Sequence, residues 1–314
     1  MKKIHLSLSL IILFYSISGC STESKKEKET PSPKQPFPSE IIHFSPLEKN
    51  PIFSGTGQKT WDSKIRERGY ILKEGDGYHM WYTGFEGYSD STLLKLGYAY
   101  SEDGLAWKRY AENPVFKESW VEDMMVLKHE GTYYMFAEGE NDVAKLLTSE
   151  DRINWENHGF LDIRQTNGNP LSKGPYGTPT AWYEEGIWYL FYERNDQGIW
   201  LATSKDLQVW TNVQDEPVIT MGPEEYDKFG VAVNQLIEHE GYYYVYYHGT
   251  AFEDWSEWTM NVAVSKDLVK WKKYDQNPIM EDNKSSGITV HDGEKYRFYT
   301  MHPEVVVHFP SENN

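Results

Sequence analysis

The sequence predicts an all-β fold, a five-bladed β-propeller with four antiparallel strands in each blade. Three observations predict it. One strand-like segment recurs five times, a Ser-x-Asp turn follows four of the five copies, and an N-terminal segment matches the strand that is missing after the fifth copy. No stretch of the chain has a convincing helical periodicity.

The recurring segment is a run of aromatic and aliphatic residues that follows a turn. Its copies recur every 53 to 55 residues and read YHMWYTG from Tyr78, YYMFAEG from Tyr133, WYLFYER from Trp188, YYVYYHG from Tyr243 and YRFYTMH from Tyr296. Such runs after a tight turn are typical of the second strand of a β-hairpin. Five copies at one period therefore indicate five equivalent blades.

The third and fourth strands of each blade are predicted from a second motif. Segments that end in Ser-x-Asp and then Trp follow four copies, namely SEDGLAW at Ser101, SEDRINW at Ser149, SKDLQVW at Ser204 and SKDLVKW at Ser265. We expect each Asp to cap a turn and each Trp to be a structural wedge. The residues that run on from the Trp, as in WKRYAENPVF (107–116), form the predicted fourth strand.

The two ends of the repeat region complement each other. The fifth unit stops near His308 and Phe309 without a Ser-x-Asp segment, whereas FSPLEKNPIF (44–53) has the length and ending of a fourth strand. We expect this N-terminal strand to complete the last blade and close the ring, which leaves no long free edge. The predicted propeller domain spans residues 41–310.

The residues before the propeller read as an export signal and a tether. Residues 1–20 begin with Lys2 and Lys3, continue with a short apolar run, and end at Cys20 in a segment that resembles a bacterial lipobox. We predict that Cys20, the only cysteine, is lipidated and holds the protein in the bacterial cell envelope, at the outer membrane or in the periplasm. An ordinary secretory signal is the alternative. Residues 21–40 are charged and Pro-rich, as expected for a flexible tether.

The composition excludes one class of partner. The chain has 31 basic and 48 acidic residues and a formal net charge of −17. A nucleic-acid partner requires a basic face, so we expect none. Aromatic residues make up 15% of the chain, which is enough to build a substantial core.

The hairpin in residues 120–139 carries the first candidate site. Asp123 precedes its first strand and Glu138 ends its second, so antiparallel pairing brings both carboxylates to one end of the hairpin. Paired carboxylates are what glycoside hydrolysis requires. Applied to every blade, the same reasoning predicts one axial funnel, with ordinary rim salt bridges as the alternative. Its expected members are Trp61, Asp62, Arg66, Glu67, Arg68, Glu122, Asp123, Glu138, Tyr176, Thr178, Glu193, His248 and His302.

The chain resembles the five-bladed propeller glycosidases: glycoside hydrolase family 43, the levansucrase and invertase families and, above all, family 130, the mannoside phosphorylases and hydrolases. Glu122-Asp123, ten residues before Tyr133, carries this resemblance. The segments Asn50-Pro51-Ile52, Leu96-Gly97-Tyr98-Ala99-Tyr100-Ser101 and Gly177-Thr178-Pro179 support it. The resemblance implies that Asp123 is the general acid. The Pro-Arg that follows this Asp in family 130 is replaced here by Met124-Met125.

The second catalytic carboxylate is less clearly indicated. At the positions of the family 43 base and acid, this chain has Arg68 and Thr178. Asp62 resembles the levansucrase nucleophile but lies about six residues too early. We rank Glu193 first as the base, then Asp62 and Glu67, with an ion pair to Arg194 or Arg164 as the alternative role for Glu193.

The remaining candidates are predicted substrate contacts. Arg66, Arg68 and His248 are suited to sugar hydroxyls or to a carboxylate or phosphate group. His302 has the same prediction, with a core position as the alternative. Trp61 and Tyr176 are candidates for stacking on sugar rings, and Glu122 and Glu138 for raising the pKa of Asp123 by like-charge repulsion.

The predicted function is a secreted, lipid-anchored glycoside hydrolase that acts from the ends of oligosaccharides or polysaccharides by carboxylate acid–base catalysis. Two alternatives stay open: a glycoside phosphorylase of the family 130 type and a non-catalytic glycan-binding propeller. We expect no cofactor and no local metal cluster, with a structural Ca²⁺ on the propeller axis left open.

Overall fold

The computed structural model describes residues 36–87, 93–172 and 174–311. The predicted signal peptide, Cys20 and nearly all of the tether lie outside these residues. The described part of the chain contains no helix with the length and apolar character that a membrane crossing would need. Its only helices are two short 3-10 turns, Ser39–Ile41 and Glu225–Asp227.

Twenty-two strands make up the rest of the regular structure in the described residues. In chain order they are β1 (Phe44–Pro46), β2 (Lys64–Glu74), β3 (Gly77–Phe85), β4 (Lys95–Ser101), β5 (Lys108–Arg109), β6 (Glu122–His129), β7 (Thr132–Gly139), β8 (Val143–Ser149), β9 (Glu156–Phe160), β10 (Asp162–Arg164), β11 (Thr180–Glu184), β12 (Ile187–Glu193), β13 (Gly198–Ser204), β14 (Val209–Asn212), β15 (Ile219–Thr220), β16 (Gly230–His239), β17 (Tyr242–Thr250), β18 (Thr259–Ser265), β19 (Trp271–Lys273), β20 (Gly287–His291), β21 (Tyr296–Thr300) and β22 (Val306–Pro310).

These strands form five sheets, which confirms the predicted five-bladed propeller. Blade 1 is β2 to β5, blade 2 is β6 to β9, blade 3 is β10 to β15, and blade 4 is β16 to β19; blade 5 has the order β1-β22-β21-β20. Blade 3 is larger than predicted, because β10 adds in parallel to β14 and β15 pairs with the opposite end of β13. The strand β1 is the outermost strand of blade 5 and runs antiparallel to β22, with Phe44 opposite Pro310.

The first strand of each hairpin lies innermost. Strand β2 contacts both β6 and β20, β16 contacts both β11 and β20, and β6 contacts β11, so these five strands surround one axis. The faces between blades are filled by the recurrent aromatic strands. Five of their large side chains are fully buried: Trp81, Phe136, Phe191, Tyr246 and Phe298. Burial of such side chains between the blades contributes hydrophobic stabilisation.

The Ser-x-Asp motifs form turns at the outer ends of the third strands. In blade 1, one carboxylate oxygen of Asp103 accepts the backbone N–H groups of Leu105 and Ala106, both at 2.8 Å, and the hydroxyl of Ser101. The Trp that follows is tied to the same turn in two blades, since Trp155 and Trp271 donate their indole N–H to a carbonyl of the preceding turn. The motif is therefore structural.

The inner strands carry irregularities near the axis. The pairing register shifts between Arg66 and Tyr70 in β2, between Glu122 and Met125 in β6, and between Val233 and Gln235 in β16. A bulge bends its strand and turns a side chain away from the regular alternation. Three inner strands therefore present residues to the axis that a regular strand would direct into the sheet.

Candidate active site

A cavity of about 320 Å³ lies on the propeller axis, and all five blades contribute to it. It is strongly acidic. Its lining residues are Glu67, Asp123, Glu138, Asp142, Pro175, Thr178, Glu193, Asn195, Asp196, His248, Trp255, Trp258, Ser285 and Ser286.

Three of these residues adopt left-handed backbone conformations at the start of an inner strand. The φ angles are 53° for Glu67, 43° for Asp123 and 46° for Thr178. Non-glycine residues with positive φ are uncommon, and they cluster at sites where the chain holds a functional group in place. The two carboxylates and the hydroxyl face the cavity because of this local geometry.

Arg68 lies beneath the cavity and ties three blades together. It is fully buried, and its guanidinium donates hydrogen bonds to the carbonyls of Asp123 in blade 2, Pro179 before blade 3, and Val233 and Asn234 in blade 4. Burial lowers its pKa, although nearby Asp123 favours the charged form. Arg68 is not among the lining residues of the cavity, and its predicted contact with substrate stays a prediction.

Asp123 is the central carboxylate of the cavity. Its Oδ1 accepts the backbone N–H of Arg68 at 3.2 Å. Burial raises the pKa of Asp123 to about 6; Glu67 adds to the rise, and Arg68 opposes it. A carboxyl group with a pKa near 6 is poised to donate a proton at neutral pH.

Glu122 and Glu138 lie opposite each other in the β6–β7 pairing. Glu122 is buried, forms an ion pair with Nε of Arg66 at 2.9 Å and accepts the indole N–H of Trp120. Burial raises its pKa to about 8 against the opposing charge of Arg66. Glu122 does not line the cavity. Like-charge repulsion from Asp123 raises the pKa of Glu122 further, whereas Glu67 is the carboxylate that raises the pKa of Asp123.

Glu138 reaches the cavity from the end of β7. Its Oε2 accepts the backbone N–H of Thr178 at 2.8 Å, which links blade 2 to blade 3. Burial raises the pKa of Glu138 well above its ordinary value, and Asp123 and Glu122 raise it further. Its surroundings therefore favour the neutral form of Glu138 next to Asp123.

Glu193 occupies the equivalent position at the end of β12. Its carboxylate accepts the backbone N–H of Gly177 at 3.0 Å and that of Asp196 at 2.7 Å. Neither predicted ion pair forms, because Arg194 bonds Ser172 and Arg164 bonds Asp162. Burial raises the pKa of Glu193, and the two N–H donors oppose that rise.

Gly177 lies between two of these carboxylates. A Cβ atom at this position would collide with Oε2 of Glu138 and would lie 2.8 Å from Oε1 of Glu193. Glycine therefore allows both side chains to approach one stretch of backbone. This close approach is a packing reason for the Gly-Thr-Pro segment at residues 177–179.

Asp196 is a cavity carboxylate that the sequence reasoning missed. It lies in the short link between β12 and β13, with φ of 52°. Burial raises its pKa to about 8, and repulsion from Glu193 and Asp123 adds to the rise. Asp142, in the link between β7 and β8, also lines the cavity and was missed. Both follow a predicted second-strand end by only a few residues, which is the one sequence signal that could have found them.

His248 forms the blade 4 side of the cavity. Its Nδ1 lies 2.8 Å from Oδ1 of Asn234, the bulged residue of β16, and its ring packs edge-on against Trp258 with centroids 4.8 Å apart. An amide oxygen only accepts hydrogen bonds, so Nδ1 carries the proton. Burial lowers the pKa of His248 to about 3, and the Arg68 charge lowers it further. The ring is therefore neutral at working pH.

Glu67, Arg66 and His302 form a smaller group at the blade 1 side. Glu67 pairs with Arg66 at 2.6 Å, and its backbone N–H donates to Nδ1 of His302 at 3.0 Å. Burial lowers the pKa of His302, and Arg66 lowers it further. Of the three, only Glu67 lines the cavity, so Arg66 and His302 support the site from behind.

Three other predicted site residues lie away from the cavity. Asp62 is buried between Arg109, at 2.8 Å, and the hydroxyl of Tyr82 in blade 1, and Trp61 stacks on the same Tyr82 ring. Both precede β2 and turn toward the outer strands, and neither lines the cavity. Asp62 as a base and Trp61 as a sugar contact stay predictions that this placement does not support. Tyr176 donates its hydroxyl to the carbonyl of Leu161 and does not line the cavity.

A second acidic group lies outside the site. Among the described residues, Glu74, Asp76 and His79 are the one set of three side chains close enough to hold a metal ion. The guanidinium of Arg152 already occupies it, at 3.0 Å from Asp76 and 2.7 Å from His79. This group is an inter-blade ion-pair network. The question of an axial Ca²⁺ stays a prediction.

Comparison with known proteins supports the propeller fold and finds similar proteins among enzymes that act on glycosides. No protein-family model matches the chain. A 1,2-β-oligomannan phosphorylase of Thermoanaerobacter sp. (strain X514) is 22% identical over 226 residues, which cover 66% of this chain and 72% of that protein.

Solved structures share the same architecture. A glycosyl hydrolase from Bacteroides ovatus superposes with a TM-score of 0.70 at 16% identity, covering 84% of this chain and 92% of that one. Another belongs to work showing that the GH130 family of mannoside phosphorylases contains glycoside hydrolases that target β-1,2 mannosidic linkages in Candida mannan. It has a TM-score of 0.65 at 15% identity and covers 87% of this chain and 95% of that one. The chain therefore has the propeller fold of glycosidases and mannoside phosphorylases.

Proposed function

We propose that this protein is a glycoside hydrolase that cleaves oligosaccharides in the axial cavity. The observation that carries the proposal is the charge pattern of that cavity. Asp123, with its pKa raised to about 6, shares the lining with Glu193 and Asp196, and no Lys or Arg is among the described lining residues. Glycoside hydrolysis uses one protonated carboxyl group as the acid and one ionised carboxylate as the base or nucleophile.

Asp123 is the proposed general acid. In its protonated form it donates its proton to the oxygen of the glycosidic bond as that bond breaks, so the departing sugar leaves as a neutral alcohol. Burial and the nearby Glu67 keep the proton on Asp123 near pH 6. The hydrogen bond from the Arg68 backbone fixes Oδ1, which leaves Oδ2 for the substrate.

Glu193 is the proposed base. It forms a coupled acidic pair with Asp196, and two like charges so close share a single negative charge over part of the pH range. The two backbone N–H groups that point at Glu193 stabilise its anion, whereas the pKa of Asp196 reaches about 8. Of the two, Glu193 therefore has the better stabilised anion, and we assign it to take a proton from the water that attacks the anomeric carbon.

The cavity favours water over phosphate as the acceptor. A phosphorylase must hold a phosphate dianion next to the anomeric carbon, and such sites use Arg, Lys or protonated His. Here the described lining offers carboxylates and one histidine, and the pKa of that His248 is lowered to about 3. Phosphate would meet repulsion from several carboxylates, with no Lys or Arg among the described lining residues to offset it.

The substrate class follows from the relatives and from the same charge pattern. One relative is named for 1,2-β-oligomannan, and one structural neighbour is linked to β-1,2 mannosidic bonds. We propose uncharged β-1,2-linked mannooligosaccharides as the first substrates to test. The proposal also includes export of the protein and lipid attachment through Cys20. It further includes cleavage from the ends of the sugar chains.

The deciding experiment measures products from β-1,2-mannobiose and β-1,2-mannotriose, with and without inorganic phosphate. Release of free mannose at the same rate in both conditions would support a hydrolase. Formation of mannose 1-phosphate only when phosphate is present would make the protein a phosphorylase, the activity that its 22% identical relative is named for. Binding of mannotriose without any release would indicate a non-catalytic glycan-binding propeller.

A further inference from the structure

The link between β17 and β18 is longer than the corresponding links in blades 2 and 3. Residues 251–258 form it in blade 4, whereas residues 140–142 suffice in blade 2 and 194–197 in blade 3. Its sequence, AFEDWSEW, contains three aromatic residues. Second strands end at the cavity, so this longer link stands at the cavity mouth.

Two of the three aromatic side chains are exposed. Trp255 and Phe252 are each 45% exposed, although side chains of this size are normally covered in a soluble protein. Trp255 lines the axial cavity, as does the partly covered Trp258, and the two rings lie 6.2 Å apart. The exposed indole is therefore continuous with the proposed catalytic cavity.

The link is held in a defined conformation. The buried hydroxyl of Thr250 donates to the carbonyl of Glu257 at 2.7 Å and accepts the backbone N–H of Phe252 at 3.1 Å, so both ends of the link meet on one side chain. Trp255 has φ of 56° and donates its indole N–H to the carbonyl of Phe229 at 3.3 Å. The ring is thus oriented before any ligand arrives, which reduces the entropy lost on binding.

Trp258 connects this link to the chemistry. It packs on the His248 ring, and its backbone N–H and C=O bond Asn283 and Lys284 of the segment that leads into blade 5. Trp258 is therefore a fixed wall of the cavity, and Trp255 is the next surface outward along the same side.

We propose that Trp255 is a platform for a second sugar ring of the substrate, adjacent to the ring whose bond is cleaved. The flat apolar face of an indole suits the C–H face of a pyranose, and its N–H edge is already satisfied by Phe229. The platform would make the enzyme prefer oligosaccharides to monosaccharide ligands. This inference rests on the proposed function, because it places the cleaved ring at Asp123.

The test separates the platform from catalysis by measuring binding where turnover is blocked. Calorimetry on full-length Asp123→Asn protein measures the Kd of β-1,2-mannotriose and of mannose, with and without Trp255→Ala. We expect Trp255→Ala to weaken mannotriose binding about tenfold, the equivalent of one good aromatic contact, and to leave mannose binding unchanged.

Two further variants control the experiment. Trp255→Phe keeps a flat ring but loses the indole N–H, so it should recover most of the affinity if the ring binds sugar. Phe160→Ala removes another exposed aromatic, 58% exposed and outside the axial cavity, and should change neither Kd.

The outcomes distinguish the two proposals. Equal mannotriose affinity with and without Trp255→Ala, or an equal loss for mannose and mannotriose, would overturn the platform. Failure of the wild-type protein to release mannose, with mannotriose affinity still dependent on Trp255, would overturn the hydrolase alone. If the Asp123→Asn protein does not bind mannotriose at all, the platform proposal is also overturned.

Discussion

The molecule contains two sets of carboxylates whose surroundings are opposite. The turn set, Asp103, Asp151, Asp206 and Asp267, lies exposed at the outer ends of the blades, and the pKa of each is lowered, chiefly by backbone N–H groups of its own turn. The cavity set on the axis is buried among other acids, and burial raises the pKa of its shifted members, among them Asp123, Glu138, Glu193 and Asp196.

The difference shows what separates a structural acid from a reactive one. A turn Asp obtains its donors from residues two and three positions ahead, so the local sequence alone stabilises its anion. A cavity acid depends on groups from several blades and receives too few donors to offset desolvation. Acids of the first kind stabilise the fold, and those of the second kind keep protons available for transfer.

The largest expected effect comes from exchanging one acid of each set for its amide. Asp123→Asn should lower kcat/KM on mannooligosaccharides by about 10²–10⁴-fold, because the proton donor is lost while Oδ1 can still accept the Arg68 N–H. Asp206→Asn should leave kcat/KM unchanged. Steady-state kinetics on both variants, with circular dichroism to verify folding, measures this. Equal losses would contradict the division into two sets.

Replacing Arg68, the cation beneath the cavity, should show how much it contributes to the stability of the propeller. Arg68→Met leaves carbonyls of three blades without their donor, and we expect a loss of about 3 kcal/mol in the free energy of unfolding. Denaturant titration measures it. Lys228→Met, which removes an exposed pair with Glu225, should cost little. A near-native Arg68→Met protein would mean that water replaces the guanidinium.

The two sets should also respond to pH in opposite directions. The cavity acids have folded-state pKa values above their unfolded values, so the stability they contribute is complete below about pH 4 and is lost as pH rises through about 6 for Asp123 and about 8 for Asp196. The turn acids have lowered values, so their contribution is present above about pH 4 and is lost as pH falls through about 2 for Asp151. Stability should therefore be greatest between these ranges.

Thermal midpoints recorded from pH 3 to pH 9 test this. The midpoint should fall between pH 5 and pH 8, and Glu138→Gln should reduce that fall because it removes one buried ionisation. Asp206→Asn should leave the alkaline fall as it is. A midpoint that rises between pH 5 and pH 8 would show that the cavity acids are ionised without cost.

The smallest expected effect belongs to a single turn. Asp103→Ala removes the acceptor of two backbone N–H groups and of the Ser101 hydroxyl, and should cost about 1 kcal/mol of unfolding free energy. Asp103→Asn should cost less, since the amide oxygen still accepts. Chemical denaturation measures both, and kcat should not change in either variant. A loss of activity would mean that the outer turns influence the cavity.

The five blades were predictable because each repeats its own local signals. The aromatic strands and Ser-x-Asp turns recur at one period, and the hairpin geometry was enough to place Asp123, Glu138 and Glu193 at one end of their blades. The larger blade 3 was not predicted, since β10 and β15 are short and lack the repeated pattern.

The residues that sequence reasoning misplaced or missed have a common physical origin. The position of Arg68 depends on the bulge in β2, which directs its side chain toward the axis, and a pattern of alternating residues does not show a bulge. Asp196, Asp142 and Trp255 lie in links whose lengths differ between blades, where the repeat gives no register. Asp62 was misplaced because its partner, Arg109, comes from a strand 47 residues later.

The pairing of β1 with β22 has a consequence for how the protein is made. Residues 44–46 leave the ribosome before blades 1 to 4, but their partners at 308–310 are synthesised only after all four of those blades. Blades 1 to 4 each consist of consecutive strands, so they can form as the chain grows. Blade 5 has to wait for a contact between strands at opposite ends of the propeller sequence, and such long-range contacts slow folding. Until that contact forms, β1 and β22 have open edges, which are prone to edge-to-edge association.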